Sequence, residues 1–478
     1  MDSIAADALI IDSTSCQAFL ERLVNSSPSE IQPRHTDVHQ VYVAEQDHRL
    51  LPQTFAETLK HGAAHLRRAL PRVVALRVQS ETSNCLRGAL HCILALASTL
   101  TRLHLQIGRN TPLQMAIIAL DSMRHRLPQL RSLDIDVELY FASPGQALDV
   151  ALSLASLCGS LPSLSSLRLP LRVVEKALHH DPNTLTRLSN LRELSIFAAP
   201  YALHHVTSPS RQADSNTPTA LRTLRISAPL VKCTTLLPAI PKSLDSLHLS
   251  TGDVVEAKDI SRALRSMLEH FSPPSPPHSS HPGSFPISSA AMTTMFFPHG
   301  IPQPATVSSL VDVTLHIPNG TPDSANWCAF VPLLSARNLE QLSIFHVYPL
   351  SYNEQDLLDM LGSWHKIGSL ALNPRPCHGP VSLRGLPSLG VLAAIGRSGP
   401  SLRVFRALVD GSIVPSSLPR HTWGPTVAAL DFGYSVGSCK EAELKSSAEF
   451  VGGLFPGVKI RTEDCSEWAL KLGQRVNA

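Results

Sequence analysis

One spacing constrains this chain more than anything else in it. Three apolar residues stand at positions one, four and six of a short segment, and the segment returns along most of the sequence. Leu130-Arg131-Ser132-Leu133-Asp134-Ile135 is a representative copy. The cleanest are Leu191/Leu194/Ile196, Leu221/Leu224/Ile226, Leu244/Leu247/Leu249 and Leu339/Leu342/Ile344. Units begin at Val38, Val73, Leu100, Leu130, Leu164, Leu191, Leu221, Leu244, Leu310, Leu339, Ile367, Leu402, Val427 and Phe455. The copies at Val38 and Phe455 are the least regular. Successive starts lie 23 to 35 residues apart, except for one interval of 66.

Side chains alternate along a strand, so residues four and six of a unit face one way and residues three, five and seven the other. A single unit cannot bury its apolar side, and neighbours must stack to share a core. Stacked parallel strands need crossovers, and the intervening sequence carries helix signals. Ser143-Pro144 opens a helix and Gly159 closes it. Ser351-Tyr352-Asn353-Glu354 and Ser438-Cys439-Lys440-Glu441 have capping-box spacing. Thr111-Pro112 starts a stretch with Leu113, Ile117, Leu120 and Leu127 on one helical face. Ordinary βαβ units of a closed or doubly wound sheet are the alternative. One short strand in every ~30 residues favours an open, curved solenoid.

The phrases LPQLRSLDI, LPSLSSLRL and LSNLRELSI, from Leu127, Leu161 and Leu188, resemble leucine-rich repeats. With their irregular period they are similar to the fungal F-box/leucine-rich-repeat proteins, over residues 35–470. The resemblance implies an α/β solenoid, an irregular horseshoe with a parallel sheet on its concave face and helices and loops on its convex face. It also implies a protein or peptide client, and ubiquitin-ligase components as partners of a substrate-selecting arm. Two departures accompany it. Where regular repeats place an Asn that bonds the turn, this chain has Gly108, Glu138, Arg172 and Ala199, which implies an uneven arc. The only echo of an F-box, Leu51-Pro52-Gln53-Thr54-Phe55, lies between two units with no room for the full module.

Five segments follow from the spacing. Residues 1–37 are expected to form an N-terminal helical cap, its helix running from Ser15 to Val24. Residues 38–271 and 307–462 are two blocks of repeats. Between them 272–306 is rich in proline and serine, beginning Ser272-Pro273-Pro274-Ser275-Pro276-Pro277, a composition without donors or core side chains that reads as a disordered insertion. Within it Met292, Met295 and Phe297 repeat the triplet spacing, as a loop segment packed on the body or as a short docking motif. Residues 463–478 are expected to hold a capping helix, Asp464 to Leu472, with Trp468 as a lid and Gly473 as the stop.

Chemistry is harder to find. The formal charge of +3 over 478 residues implies no strong field for nucleic acid or membrane. An acidic N-terminus unlike a secretory signal, and no apolar run of about 18 residues, lead to a cytoplasmic or nuclear expectation. Nine scattered cysteines without a CxxC read as reduced, buried or half-buried thiols. Of the 22 histidines, His179-His180 and His204-His205 are adjacent pairs, and His278 and His281 fall in the Pro/Ser segment. No HExxH, GxxxxGK[ST] or GxGxxG occurs. No enzyme activity, cofactor or metal is therefore expected.

What remains is the strand face turned away from the core. Its fifth positions are Tyr42, Arg77, His104, Asp134, Arg168, Ser195, Arg225, His248, Thr314, Ser343, Ala371, Arg406, Asp431 and Lys459. At about 4.8 Å per strand they would trace an arc of about 60 Å, suited to a protein or extended peptide. The candidate binding residues are Arg77, Arg102, His104, Asp134, Asp136, Arg168, Phe197, Arg225, His248 and Phe345. Arginine and aromatic side chains dominate binding hot spots, although an exposed face is polar for solubility in any case. A regulator of small GTPases and a structural scaffold are the competing functions.

Overall fold

Each of the fourteen triplets leads into a strand that pairs in parallel with its sequence neighbour. The computed structural model describes residues 8–12, 15, 18–19, 21, 38–45, 50–52, 54–139, 142–181, 183–185, 187–198, 220–272, 309–377, 386–415 and 427–477. The chain forms two units, Met1–Asp253 and Val254–Ala478. The architecture is α/β, of the leucine-rich-repeat solenoid type. The Pro/Ser-rich segment, with Met292, Met295 and Phe297, lies outside the described residues, as does most of the expected helix from Ser15 to Val24. The repeat blocks bounded at 271 and 307 therefore remain a proposal.

In the first unit the described strands are β1 (Ala8–Ile11), β2 (Gln40–Ala44), β3 (Ala75–Ser80), β4 (Arg102–Ile107), β5 (Ser132–Val137), β6 (Ser166–Pro170), β7 (Glu193–Phe197), β8 (Thr223–Ser227) and β9 (Ser246–Ser250). The second holds β10 (Asp312–Ile317), β11 (Gln341–His346), β12 (Ser369–Leu372), β13 (Val404–Ala407), β14 (Ala429–Asp431) and β15 (Lys459–Ile460). Fourth positions align strand to strand: Val41 with Leu76, Leu76 with Leu103, Leu103 with Leu133, and on to Leu224 with Leu247. These residues are buried, whereas third and fifth positions are half-buried or exposed through the first unit. The apolar side is covered by the crossovers. Leu167 and Leu169 of β6, for instance, line one small apolar cavity together with Leu154 and Cys158 of one helix and Val174 and Leu178 of the next.

Those helices are α1 (Phe55–Ala69), α2 (Ser83–Ala95), α3 (Leu113–Met123), α4 (Pro144–Gly159), α5 (Leu171–His180) and α6 (Leu230–Leu236). In the second unit they are α7 (Ala257–Phe271), α8 (Glu354–Ser363), α9 (Val391–Ser398), α10 (Glu441–Leu454) and α11 (Glu467–Val476). Between β10 and β11 three short 3-10 turns replace a helix. Ser143 and Gln146 cap α4 reciprocally. The F-box-like Leu51-Pro52-Gln53-Thr54-Phe55 leads into α1, where Phe55 is buried so close to Gly88 of α2 that a Cβ there would lie 2.3 Å from its ring.

Several local expectations are corrected. The segment expected as a helical cap contributes β1, whose Ile10 pairs with Tyr42. The capping box of α8 is Asn353 with Asp356, two residues after Ser351, whose backbone is in a bridge with Asn326. Lys440, without a side-chain cap, precedes α10. On α3 the buried face is Ala116, Ala119, Leu120 and Met123, leaving Ile117 half-buried. Gly473 does not end α11 but lies inside it, where a Cβ would meet Thr462 Cγ2 at 2.5 Å. Trp468 does pack as a lid, buried against Gly411, Gly437 and the Phe432 ring. The last triplet is shifted by two residues, since Leu430 pairs with Ile460 and Ala429 with Lys459. Phe455 caps α10 instead, its N–H donating to Val451 O, and Gly457 turns at φ +77°. Cys85, Cys92, Cys158 and Cys233 are buried as expected of such thiols, but Cys328, Cys377 and Cys439 are exposed.

The turns after the strands are held by different buried polar groups in place of one repeated Asn. Glu45, fully buried, accepts hydrogen bonds from Leu51 N at 3.1 Å, Glu81 N at 2.9 Å and Thr82 N at 2.8 Å. Asn373, at φ +49°, donates to His346 O and Tyr348 O and accepts from His346 N. Asp410 and Ser435 stand at the ninth positions of their units. The first accepts from Ser412 N, the second from Val409 N.

One buried acid lies among the crossovers. Glu175 of α5 has Lys232 Nζ of α6 3.8 Å from its Oε1, and burial pushes its carboxyl up to about 7 against the opposing pull of Lys232, Lys176 and Arg172. A folded value above the ordinary one stabilises the protein fully in mild acid, and that contribution is lost as pH rises through about 7. Between mild acid and mild alkali, Glu175→Gln should gain on the order of 3 kcal/mol relative to wild type. Urea melts across that range would measure it; a pH-independent gap between the two proteins would refute the assignment.

Candidate functional site

The fifth positions of the first unit form one unbroken row. Tyr42 pairs with Arg77, Arg77 with His104, His104 with Asp134, Asp134 with Arg168, Arg168 with Ser195, Ser195 with Arg225 and Arg225 with His248. Seven steps of about 4.8 Å make this row about 34 Å long. Every member is exposed or half-buried because its strand neighbours, at positions four and six, are the ones turned into the core.

At the centre, four side chains are joined. His104 Nδ1 lies 2.7 Å from Asp134 Oδ2, the same oxygen that accepts from Arg168 Nη1 at 3.3 Å. The Arg168 guanidinium in turn lies over the Phe197 ring, 4.7 Å from its centroid. Cation–π contact and charge pairing thus fix Arg168 from two sides and hold its planar group in place. Among the described residues His104 Nε2 and Asp134 Oδ1 have no hydrogen-bond partner. Nearer the N-terminus, Arg77 lies over the Tyr42 ring at 5.8 Å.

Asp136 is two residues along β5 on the same face as Asp134. Burial pushes its carboxyl up, and the charges of Asp134 and Glu138 push it further; His104 and Arg168 act the other way. Arg102, in the third column, and Arg225 are exposed on this face, and His248 has its Nε2 3.0 Å from Ser246 Oγ. Of the ten residues expected to bind, nine therefore lie on the face of the first unit, four of them in direct contact. Phe345 is on β11 of the second unit, exposed and edge-on to His316 at 6.2 Å.

The row is not continued evenly in the second unit. Thr314, Ser343, Ala371, Arg406 and Asp431 are in register, but Ala371 and Asp431 are buried. Arg375 donates to Asp431 Oδ1 at 3.0 Å and to the carbonyls of Glu463 and Asp464, closing this end. Lys459 aligns with Ala429 and so belongs to the third column. The expectation of one uniform polar row through Lys459 is corrected accordingly. Ser246 and Glu138 were missed as contributors; Tyr42 is in the fifth-position row expected from the sequence but not among the candidate binding residues, although register makes it the neighbour of Arg77.

Among the described residues no group of three or more His, Cys, Asp or Glu side chains is placed to hold a metal ion. No helix there is long and apolar enough to cross a membrane. His179 and His180 are exposed at the end of α5; His204, His205, His278 and His281 lie outside the described residues. Asp136 ionises at a cost, its raised value favouring the folded state below the ordinary carboxyl range and less as pH rises through the shifted one. Asp136→Asn should therefore raise the melting temperature at neutral pH, and the gain should vanish in acid where both proteins carry an uncharged group. Calorimetry at the two pH values checks this, a destabilised variant at neutral pH being the contrary result.

No family model matches the chain, and no curated protein matches it. Among solved structures it is similar to one described as the crystal structure of the Rad7 and Elc1 complex in yeast, at 13% identity, covering 87% of each chain, with a TM-score of 0.38. A likeness of that degree transfers no function.

Proposed function

We propose that this chain is a non-catalytic recognition protein whose open sheet face in the first unit binds a protein or peptide client. The observation that carries this reading is the in-register row from Tyr42 to His248, with its braced cluster of His104, Asp134, Arg168 and Phe197. A surface about 34 Å long is too extended for a metabolite and spans several residues of a polypeptide. Side chains already fixed by contacts within the protein lose little freedom on binding, which favours affinity. Arginine stacked on an aromatic ring is the kind of anchor that dominates protein interfaces.

Within this reading, the phrasing of the repeats supports a substrate-selecting role in ubiquitin ligation, in the cytoplasm or nucleus, with ligase components as further partners and neither nucleic acid nor membrane as ligand. The two levels are tested separately. Peptide display panned on the full chain should select binders that fail on a folded Arg77→Glu/Arg168→Glu/Arg225→Glu variant, with circular dichroism confirming the fold. Binders indifferent to the triple reversal would remove the face from consideration. For the ligase role, the tagged chain should co-purify with a cullin scaffold after mild cross-linking; its absence would sink that role and leave the recognition face untouched.

A further inference from the structure

Charges on this face are zoned by strand. β3 and β4 present Arg77 and Arg102; β5 presents Asp134 and Asp136, with Glu138 just beyond; β6 and β8 present Arg168 and Arg225. Asp134 is already engaged by His104 and Arg168. Arg77, Arg102, Asp136 and Arg225 make no ion pair among the described residues, Arg77 meeting only the ring of Tyr42. Glu193 of β7 is an exposed acid within the basic flank, in the third column as Arg102 is, opposite Thr223. The face therefore offers an unpaired anion near its middle and unpaired cations on both sides.

We propose that the client is an extended segment with an acid–base–acid charge pattern, lying across the strands with its central Lys or Arg at Asp136 and a carboxylate at each of Arg77 and Arg225. This rests on the reading of the face as a client site and adds the chemistry of the client. The spacing follows from the sheet. Asp136 is in register with Gln106 and Gln79, so it stands two residues, about 7 Å, further along its strand than the row of Arg77 and Arg225; Arg77, two strands away, is about 12 Å from it, and Arg225, three strands away on the other side, about 16 Å. An extended chain rises about 3.3 Å per residue, so the three charges fall about four and five residues apart. Asp136 is half-buried with Asp134 and Glu138 beside it, so a cation brought there relieves repulsion already present. Arg168 is held against Phe197 and Asp134 and forms a fixed wall between the central and distal sites. Complementary charge of this kind selects a partner and its register more than it adds affinity.

The probe is a fluorescein-labelled synthetic peptide with Glu, Lys and Glu at its first, fifth and tenth positions in a Gly/Ser background, titrated by anisotropy against the full chain. It should bind, and a peptide of the same composition with the three charges contiguous should bind about tenfold more weakly. Asp136→Lys, which removes a repulsive charge and should fold, should lose about tenfold in affinity and regain it with a peptide whose central Lys is replaced by Glu. Equal affinity for the spaced and contiguous peptides, no recovery in the swapped pair, or no binding of the spaced peptide would each overturn the proposal. The display experiment separates this from the parent reading. Selected binders that need the three arginines but lack the spacing refute the charge pattern alone, whereas failure to select any binder refutes the client site as well.

Discussion

The stacking of aliphatic triplets across parallel strands is the interaction on which everything else in this protein depends. Leu103, Leu133, Leu167 and Leu194 are each buried against the same position of the next strand, and no single strand of five or six residues could keep such side chains from water alone. Because the pairing is parallel and in register, the burial of fourth and sixth positions turns the fifth positions of the first unit into one outward row. The candidate site is thus a consequence of the core. A slip of one residue in any strand would turn its leucines outward and break the row at that point.

This coupling explains why so much was legible in the amino-acid sequence. The triplet encodes strand, facing and neighbour at once, so Arg77, His104, Asp134 and Arg168 could be placed side by side although each is about 30 residues from the next. What was illegible has specific causes. Strand β1, Ala8-Leu9-Ile10-Ile11, lacks the triplet spacing because a run of consecutive apolar residues carries no facing signal. At the other end Val458 and Ile460 were correctly assigned to the core side, but Phe455 was spent on capping α10, and an even shift of two preserves facing while moving Lys459 to another column. Ser351 and Ser438 satisfied a local capping pattern that tertiary contacts or a neighbouring residue overrode. The contact of Arg168 with Phe197 depends on rotamers, which spacing does not encode.

The missing asparagine has a related explanation. In a regular repeat one side chain at a fixed position can bond every turn, because each turn has the same shape. Here successive crossovers differ in length, so each turn presents its backbone groups differently, and a buried N–H or C=O left unpaired is costly. Glu45 reaches forward to the N–H groups of Glu81 and Thr82, Asn373 reaches back to His346 and Tyr348, and Ser435 bonds Val409. Polar groups at these turns are therefore required for the fold, and their burial alone is no sign of function.

That distinction also separates the two kinds of unsatisfied charge in the molecule. Glu175 is enclosed by α5 and α6, with burial outweighing its distant lysine, and nothing from outside can reach it without opening the crossovers. Asp136 is half-buried on the outward face, as are Asp134 along its strand and Gln106 on the next, and its discomfort comes partly from Asp134 and Glu138. A buried acid of the first kind costs stability in every state of the protein. An acid of the second kind costs stability only while its face is empty, since a partner's cation can meet it without rearranging the core. The same sheet that buries its leucines thus leaves one carboxylate, attracted by His104 and Arg168 but in no ion pair among the described residues, where a binding partner's cation can meet it.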